Sequence, residues 1–319
     1  MTNTRVFIDG QAGTTGLELK DRLGLIDAVE LLEIEPAERK NPTRRAELLN
    51  DADVAILCLP DDAAAEAVAL IDSPTTRVLD ASTKHRVAKQ WVYGLPELGA
   101  NQRDAIRQAN RVTNPGCYPQ GVILTTLPLV QQGWLASDAP LAVHAVSGYS
   151  GGGTKLIDKL ENLAEPDTAG WRVRPYALDL QHKHLPEMQR YSGLTQTPLF
   201  APSVGAYYKG MLVSISFPKG TLAKNNKTIG KAAVFDLLSK TYSDEPFINL
   251  LTGEQAAPDG YLDATVCNGS NRLDLIIDGN DEQVMVTARY DNLGKGAAGA
   301  AVQNLNLMCG LPEQNGLTA

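Results

Sequence analysis

Short apolar runs alternate with stretches of helical pattern along the first 115 residues of the chain. The apolar runs have the length and composition of strands, and the stretches between them are predicted to be helices. Strands are predicted over residues 5–8, 29–34, 54–59 and 77–80, and helices over residues 15–23, 46–49, 63–71 and 101–108. Strands that alternate with helices imply βαβ units. We therefore expect an α/β domain with a parallel sheet of the Rossmann type and right-handed crossovers.

The pattern changes after residue 117. Longer β-like runs cover residues 141–147, 210–217, 273–278 and 283–290, and helical patterns cover residues 154–163 and 231–242. Extended runs with few helices predict an α+β domain on a mostly antiparallel sheet. The segment 294–308 is rich in small residues and is predicted to be a helix that packs on the first domain. We therefore expect one domain of residues 1–116 with the C-terminal segment 291–319, and a second domain of residues 117–290.

Composition excludes several classes of protein. A chain of 319 residues is long for a single core, which supports two domains. Its net charge of -8 argues against a nucleic-acid or anionic-membrane partner. No apolar run reaches the roughly 18 residues of a membrane span, and the N-terminal residues turn polar too soon for a signal peptide. The four cysteines are scattered, with no C-x-x-C pair, so we expect neither a disulfide framework nor a zinc site. We expect a soluble, cytoplasmic protein.

A glycine loop lies between the first predicted strand and the first predicted helix. Gly10, Gly13 and Gly16 have the spacing G-x-x-G-x-x-G, with Thr14 and Thr15 inside it. This spacing is a variant of the dinucleotide fingerprint, in which glycines let the pyrophosphate approach backbone N–H groups at a helix start. A plain strand-to-helix turn would carry the same residues. The position so close to the N-terminus favours nucleotide binding.

The residues after the second predicted strand give conflicting signals about the cofactor. Glu33 and Glu35 could accept a hydrogen bond from the ribose 2′-hydroxyl of NAD. The basic residues that follow could instead hold the 2′-phosphate of NADP; these are Arg39, Lys40, Arg44 and Arg45. The residues by themselves leave this choice open.

The candidate nucleophile is Cys117, in the segment Asn114–Pro119, which reads Asn-Pro-Gly-Cys-Tyr-Pro. Two prolines and a glycine so close together indicate a fixed bend, and the apolar run of residues 122–130 follows it. A bend that leads into a helix would place Cys117 near the helix N-terminus, where the macrodipole favours the nucleophilic thiolate. The other cysteines, Cys58, Cys267 and Cys309, are predicted to be incidental.

The candidates for general acid/base catalysis are His182 and His184, since histidine titrates near neutral pH. Lys183 and Glu187 could shift the histidine pKa in opposite directions. A His-x-His pair also suits a metal, but no acidic or cysteine ligands cluster around it in the sequence. We therefore expect no metal.

Two further segments have the chemistry of anion sites. Residues 147–153 combine glycines and hydroxyls ahead of a predicted helix, and such a segment can present backbone N–H groups to a phosphate or carboxylate. The polar segment 82–86 follows a predicted strand that ends at Asp80. Ligands of a doubly wound sheet bind at such strand ends, so Arg86 could hold an anionic group there.

Taken together, these segments resemble the short form of the N-acetyl-gamma-glutamyl-phosphate reductase family, the enzymes of arginine biosynthesis. The resemblance runs essentially from end to end. It rests on residues 10–16, 114–119, 147–153, 182–187, 200–205 and 291–299. The combination of Asn-Pro-Gly-Cys-Tyr-Pro with His-Lys-His-Leu-Pro-Glu is highly specific, whereas the glycine loop is not. In that loop this chain carries Gln-Ala-Gly-Thr-Thr where longer relatives have a serine and an aromatic residue.

The resemblance implies an activity. Cys117 would attack the acyl phosphate of N-acetylglutamyl 5-phosphate, phosphate would leave, and NADPH would reduce the thioester to the semialdehyde. His184 matches the base of the family. The family's use of NADP favours Arg39 and Lys40 as contacts of the 2′-phosphate. Asn292, with Gly294 beside it, would lie against the nicotinamide.

The resemblance also sorts the remaining candidates. Ser82 joins the glycine loop among the predicted cofactor contacts. The predicted contacts of the small-molecule substrate are Arg86, Asn114, Ser147, Gly148, Tyr149, Gly151 and Glu187. The first domain would bind the dinucleotide, and the second would carry catalysis and assembly into a homo-oligomer, a tetramer or a dimer. Cys117 would then lie where the two domains join.

Three alternatives fit parts of the same pattern. A sister enzyme could reduce aspartyl phosphate, or a carrier-bound acyl phosphate in lysine synthesis, and the carrier would need a basic patch at the mouth of the site. A nucleotide-sensing protein could keep the fold without catalysis. A cysteine hydrolase could release phosphate without oxidising a nucleotide.

Overall fold

The structure is a computed structural model of the chain and describes residues 3–162 and 172–319. It divides into two compact units. The first unit consists of Met1–Gly116 with Ala297–Thr318, and the second runs from Cys117 to Gly296 and also includes the terminal Ala319. Each unit contains its own large sheet.

The sheet of the first unit has six strands among the described residues, in the order β2-β1-β3-β4-β6-β5. The strands are β1 Thr4–Asp9, β2 Val29–Leu32, β3 Val54–Leu57, β4 Arg77–Asp80, β5 Val92–Tyr93 and β6 Arg111–Thr113. Every neighbouring pair is parallel, which confirms the predicted Rossmann-type sheet. The sequence did not predict β5 and β6, because strands of two and three residues are too short to show a period.

The described helices agree with most of the predicted ones. They are α1 Thr14–Leu23, α2 Pro42–Asp51, α3 Asp61–Ala69, α4 Gln102–Gln108, α5 Cys117–Gln131, α6 Thr154–Glu161, α7 Leu185–Tyr191, α8 Lys231–Thr241, α9 Gly253–Ala256 and α10 Gly299–Met308. The helix predicted over residues 154–163 ends at Glu161, and Leu163 lies outside the described residues. The helix predicted over residues 294–308 begins as a π-helical turn, Gly294–Ala298, before α10. The sequence did not predict α7. In the part of the chain that the structure describes, no helix combines the length and apolarity that crossing a bilayer requires.

The core of the first unit lies on both faces of its sheet. Val6 and Ile8 pack with α1 and with Val302 of α10 on one face, whereas Phe7 packs with Leu49 of α2 on the other. Alternate residues of a strand point to opposite faces, so a strand covered on both sides must be apolar throughout. This explains why β1, β3 and β4 could be predicted from the sequence.

The large sheet of the second unit has seven strands in the described residues, in the order β13-β14-β15-β10-β7-β9-β8. Four of the six neighbouring pairs are antiparallel, as predicted. The strands of this unit, including the separate hairpin β11–β12, are β7 Ala142–Gly148, β8 Val173–Pro175, β9 Leu199–Gly205, β10 Met211–Phe217, β11 Ala223–Lys224, β12 Lys227–Thr228, β13 Ile248–Thr252, β14 Leu273–Gly279 and β15 Val284–Tyr290. The sequence did not predict β9, because Pro202 in its middle weakens the strand signal.

Helix α5 is buried along most of its length and packs against β10, β15, α7 and α8. It begins at Cys117, as the Pro-Gly bend predicted. Pro119 is tolerated in the first turn because an N–H there has no partner within the helix. The sequence around the candidate nucleophile therefore fixes its place at a helix start.

Candidate active site

Cys117 lines a cavity of about 520 Å³ in the second unit. The same cavity is lined by both candidate histidines and by part of the predicted glycine segment; the residues include Ser147, Gly148, Gly151, His182 and His184. The fold thus brings together residues that are up to 87 positions apart in the sequence, from Cys117 to Val204. A nucleophile, two imidazoles and a glycine-rich wall in one cavity are the parts that acyl transfer needs.

The two histidines differ in their surroundings. His184 is buried at the start of α7, and its ring centroid lies 4.7 Å from that of His182 and 6.0 Å from that of Tyr118. Burial and, to a smaller extent, the positive charge of Lys183 together lower the pKa of His182 to about 4. His182 is therefore neutral near pH 7, and its Nδ1 accepts a hydrogen bond from the backbone N–H of His184 at 3.2 Å. His182 thus holds the backbone of its neighbour.

Two tyrosines at the cavity keep their protons. The Tyr176 hydroxyl donates to the Tyr118 hydroxyl at 3.1 Å. Burial raises the pKa of Tyr176 to about 12 and that of Tyr118 far above its ordinary value, and a negative charge on Cys117 adds to both shifts. A thiolate at Cys117 therefore has neutral phenols beside it, not phenolates that would repel it.

Two cationic side chains line the same cavity, Arg174 of β8 and Lys183. Sequence reasoning missed Arg174 and gave Lys183 only an influence on histidine pKa. Val173–Pro175 carries no motif, and the pairing of β8 with β9 that brings it to the cavity has no local signal. Cations in a cleft of this kind attract anionic groups such as phosphate and carboxylate.

The glycine segment is fixed by its backbone. The N–H groups of Gly148, Tyr149 and Ser150 donate to carbonyls of residues 207–210 at 2.9 Å each. A Cβ on Gly148 would lie 2.5 Å from the carbonyl oxygen of Tyr208. The N–H groups of Gly148, Tyr149 and Ser150 are therefore already hydrogen-bonded within the protein. Gly151, which follows these three residues, is a predicted contact that also lines the cavity.

Two predicted substrate contacts of the second unit, Tyr149 and Glu187, lie away from the lining of this cavity. The Tyr149 hydroxyl is 3.5 Å from a carboxylate oxygen of Glu161. Glu187 is buried on α7; burial raises the pKa of Tyr290 and of Tyr191, and the charge of Glu187 contributes a smaller part of both shifts.

Asn292 and Gly294 support the loops around the cavity. The buried Asn292 side chain accepts from the N–H of Gly210 at 2.8 Å and donates to the Ser150 hydroxyl at 2.9 Å. A Cβ on Gly294 would lie 2.4 Å from the carbonyl oxygen of Ser270, so no larger residue fits without a shift. The neighbouring Asp291 accepts from the N–H groups of Gly269 and Leu293 at 2.8 and 2.9 Å.

The glycine loop of the first unit has the shape of a phosphate cradle. Gly10 has φ +93°, and a Cβ on it would lie 2.3 Å from the carbonyl oxygen of Cys58. A Cβ on Gly16 would lie 2.4 Å from the carbonyl oxygen of Gly10. Gly13 precedes α1 without a side-chain cap, and the buried Thr14 hydroxyl has no hydrogen-bond partner among the residues that the structure describes. Thr15 follows in the first turn of α1. An uncapped helix start behind close-packed glycines fits a pyrophosphate group.

The charged residues beyond β2 are partly engaged. Arg45 pairs with Asp9 at 2.7 Å and Arg44 pairs with Glu47 at 2.8 Å. Glu33, one of the two acidic candidates, pairs with Lys20 at 2.6 Å. Arg39 and Lys40 are exposed just before α2 and form no ion pair with any described residue. Of the four basic candidates, these two are available to an anion.

The other predicted site residues of the first unit are buried in hydrogen-bond networks. Ser82 donates to the Asp80 carboxylate through its N–H at 2.9 Å and its hydroxyl at 2.7 Å. Arg86 donates to the Ala81 carbonyl at 2.9 Å. Asn114 donates to the Ala297 carbonyl at 2.9 Å and accepts from Asn304 at 3.2 Å. These hydrogen bonds connect the predicted site residues to the end of β4 and to the segment around α10.

Comparison with known protein families and solved structures places this chain in a class of enzymes, the semialdehyde dehydrogenases. The family described as "Semialdehyde dehydrogenase, NAD binding domain" matches residues 5–109, and "Semialdehyde dehydrogenase, dimerisation domain" matches residues 117–292. Among solved structures, aspartate semialdehyde dehydrogenase II from Vibrio cholerae superposes with a TM-score of 0.72 at 16% identity, over 97% of this chain and 99% of that one. The enzyme from Francisella tularensis gives 0.72 at 13% identity, over 96% and 100%. At such identities the likeness shows the fold, which is that of the semialdehyde dehydrogenases.

Curated relatives narrow the class. A protein of Nostoc sp. named N-acetyl-gamma-glutamyl-phosphate reductase 2 is 47% identical, over 99% of this chain and 100% of its own length. A protein of the same name from Pseudomonas putida is 46% identical over 98% of both chains. The N-acetyl-gamma-glutamyl-phosphate reductase of Burkholderia cenocepacia is 44% identical over 97% and 98%. This chain belongs to the N-acetyl-gamma-glutamyl-phosphate reductase family, as the sequence resemblance indicated, and is an oxidoreductase with a domain for a nicotinamide cofactor.

Proposed function

We propose that this chain reduces N-acetylglutamyl 5-phosphate to N-acetylglutamate 5-semialdehyde, with release of phosphate, as a step of arginine biosynthesis in the cytoplasm. The observation that carries the proposal is the position of Cys117. It is the first residue of a buried helix and lines one cavity with His184, Arg174 and Lys183. The names of relatives that match over nearly the whole chain support this choice of substrate.

The first half of the reaction is acyl transfer to Cys117. The thiolate attacks the acyl carbon, the bond between that carbon and the phosphate oxygen breaks, and phosphate leaves with the electron pair. The macrodipole of α5 stabilises the thiolate, since Cys117 stands at its positive end. His184 takes the thiol proton and gives it to the leaving phosphate. Arg174 and Lys183 offset the negative charge of the phosphate and the carboxylate.

The second half resolves the thioester. A bound nicotinamide cofactor would supply the hydride that the thioester carbon needs. Cys117 is the leaving group: its C–S bond breaks, the sulfur keeps the electron pair, and the thiolate is recovered. The start of α1 would hold the pyrophosphate of this cofactor, through Gly10, Gly13, Thr14, Thr15 and Gly16. We propose NADP as the cofactor, because Arg39 and Lys40 follow β2, are exposed, and form no ion pair with any described residue, so they could hold a 2′-phosphate. Ser82, Asn292 and Gly294 stay predicted cofactor contacts.

The remaining assignments concern the substrate and the assembly. Gly151, Ser147 and Gly148 line the cavity and are proposed substrate contacts. Arg86, Asn114, Tyr149 and Glu187 stay predictions without such support. We propose that two or four copies assemble through the second unit, since its residues 117–292 match a dimerisation domain.

The reaction run backwards tests the proposal. Wild-type protein with N-acetylglutamate 5-semialdehyde, phosphate and NADP should give NADPH, measured by its absorbance. Cys117→Ser should lose at least about a thousandfold in rate, because a serine hydroxyl is not ionised near pH 7. His184→Asn should slow kcat by roughly 10²–10⁴-fold and leave NADP affinity within about twofold.

Several outcomes would contradict the proposal. If Cys117→Ser reacts at the wild-type rate, Cys117 is not the nucleophile. If His184→Asn no longer binds NADP, the role assigned to His184 is wrong. A faster reaction with aspartate semialdehyde than with N-acetylglutamate semialdehyde would favour the sister enzyme. Release of phosphate from the acyl phosphate without oxidation of NADPH would favour the hydrolase.

A further inference from the structure

Tyr290 joins the first turn of the helix that carries Cys117. It is the last residue of β15 and is fully buried within the second unit. Its hydroxyl donates to the backbone carbonyl of Cys117 at 2.5 Å and accepts from the N–H of Gly121 at 3.2 Å. In a regular α-helix the N–H of residue 121 bonds to the carbonyl of residue 117. The Tyr290 hydroxyl thus bonds to both the Cys117 carbonyl and the Gly121 N–H, two groups that a regular helical turn pairs with each other.

The residue at position 121 makes room for this contact. A Cβ on Gly121 would lie 3.2 Å from the Tyr290 hydroxyl oxygen and 2.8 Å from the Cβ of Ala288. Any larger residue would push the turn away from β15. Pro119, in the same turn, has no N–H to contribute. The backbone at Cys117 thus has a hydrogen bond from outside the helix, in a turn with one N–H fewer than usual.

The hydroxyl keeps its proton throughout the working range of the thiol. Burial raises the pKa of Tyr290 far above its ordinary value, and a negative charge on Cys117 raises it further. The phenol therefore stays a neutral donor to the Cys117 carbonyl even when the thiol is ionised.

We propose that Tyr290 is a positioning residue for Cys117. Its hydroxyl fixes the Cys117 carbonyl and the Gly121 N–H, and so sets where the thiol points at the start of α5. This inference rests on the proposed function, in which Cys117 is the nucleophile. A purely structural role for the same hydroxyl would stabilise the second unit without affecting the thiol.

Tyr242 offers a matched control on the same helix. It is also buried, and its hydroxyl donates to the backbone carbonyl of Leu124 at 2.6 Å. Tyr242→Phe and Tyr290→Phe each remove one buried hydroxyl that bonds to a carbonyl of α5. They differ in that Leu124 lies two turns beyond Cys117.

The test compares the two variants by alkylation, turnover and thermal unfolding. Alkylation of Cys117 by iodoacetamide, followed by mass spectrometry across pH, gives the ionisation midpoint of the thiol. In Tyr290→Phe we expect this midpoint to rise by about half a pH unit or more, since the thiolate loses its place at the helix start. We expect kcat to fall about tenfold or more, with KM within about twofold. Tyr242→Phe should match wild type in midpoint and kcat, while both variants lower Tm by a similar amount.

Equal effects of the two variants on midpoint and kcat would overturn the proposal, as would a Tyr290→Phe protein that behaves like wild type. If Tyr290→Phe does not fold, fluorotyrosine at position 290 keeps the hydroxyl and makes it a stronger donor. The midpoint must then move, and an unmoved midpoint overturns the proposal. Alkylation needs no substrate, so the two claims fail separately. If the wild-type protein does not reduce NADP but Tyr290→Phe still shifts the midpoint, the proposed function is refuted and the positioning role stands.

Discussion

Mild acid should destabilise the second unit through His182. Burial holds the pKa of this imidazole at about 4 in the folded protein, against an ordinary value of 6.5. The unfolded chain therefore binds a proton between these two values while the folded chain does not. As far as it depends on His182, the free energy of unfolding is therefore highest above pH 6.5, where both states are neutral. It falls as the pH is lowered from 6.5 towards 4.

The size of the effect follows from the two pKa values. A difference of about 2.5 pH units corresponds to ~3.4 kcal/mol for a fully buried group. The His182 side chain is only partly buried, so contact with solvent reduces this figure to roughly 2 kcal/mol. For a unit of this size, that loss corresponds to a fall in Tm of about 4–8 °C.

Thermal unfolding of wild type and His182→Gln, at about pH 7 and about pH 4.5, measures this contribution. Other groups also titrate in this range, so the quantity of interest is the difference between the two proteins in their loss of Tm. Glutamine keeps an acceptor for the His184 N–H, so the variant should fold. About 70% of the full effect develops by pH 4.5, so we expect the variant to lose about 3–6 °C less than wild type on acidification. The matched control is His144→Gln, which removes an exposed histidine from β7 of the same unit.

An equal acid-induced loss of Tm in wild type and His182→Gln would refute the reasoning. It would mean that the imidazole is as well solvated in the folded protein as in the unfolded chain. His182 would then be charged near the lower end of the physiological range, and its Nδ1 could not accept the hydrogen bond from His184 there.

Two further predictions concern the first unit. Gly10→Ala should lower the free energy of unfolding of this unit by about 3 kcal/mol or more, because the new Cβ meets the Cys58 carbonyl at positive φ. Thermal unfolding measures this loss. The control is Gly99→Ala, where a Cβ meets nothing within 4 Å. Similar losses in both variants would contradict it. The double variant Arg39→Ala, Lys40→Ala should weaken NADP about tenfold or more and leave NAD within about twofold, since only NADP carries the 2′-phosphate. A fluorescence titration decides this, with the exposed Arg107→Ala as control, and an equal loss for both nucleotides would refute the assignment.

Much of the fold was readable from the sequence because the information is local. The strands β1, β3 and β4 are covered on both faces and read as apolar runs. The place of Cys117 at a helix start follows from Pro115, Gly116 and Pro119, whose backbone preferences need no tertiary contact. The glycine loop was visible for the same reason. Short strands such as β5, and β9 with its proline, lack such a pattern and were missed.

Tertiary structure decided the contents and the charge states of the site. Arg174 reaches the cavity of Cys117 through the pairing of β8 with β9, and no motif marks it. His182 is neutral because folding buries it, and a histidine in a polar segment gives no sign of that in the sequence. Tyr290 and Cys117 are 173 residues apart, yet the hydroxyl of one bonds to the carbonyl of the other. Periodicity and turn chemistry thus determined where the nucleophile stands in the chain, because both act between near neighbours. The positions of Arg174 and Tyr290 beside this nucleophile, and the neutral state of His182, depend on contacts between distant segments. Such contacts form only when the chain folds.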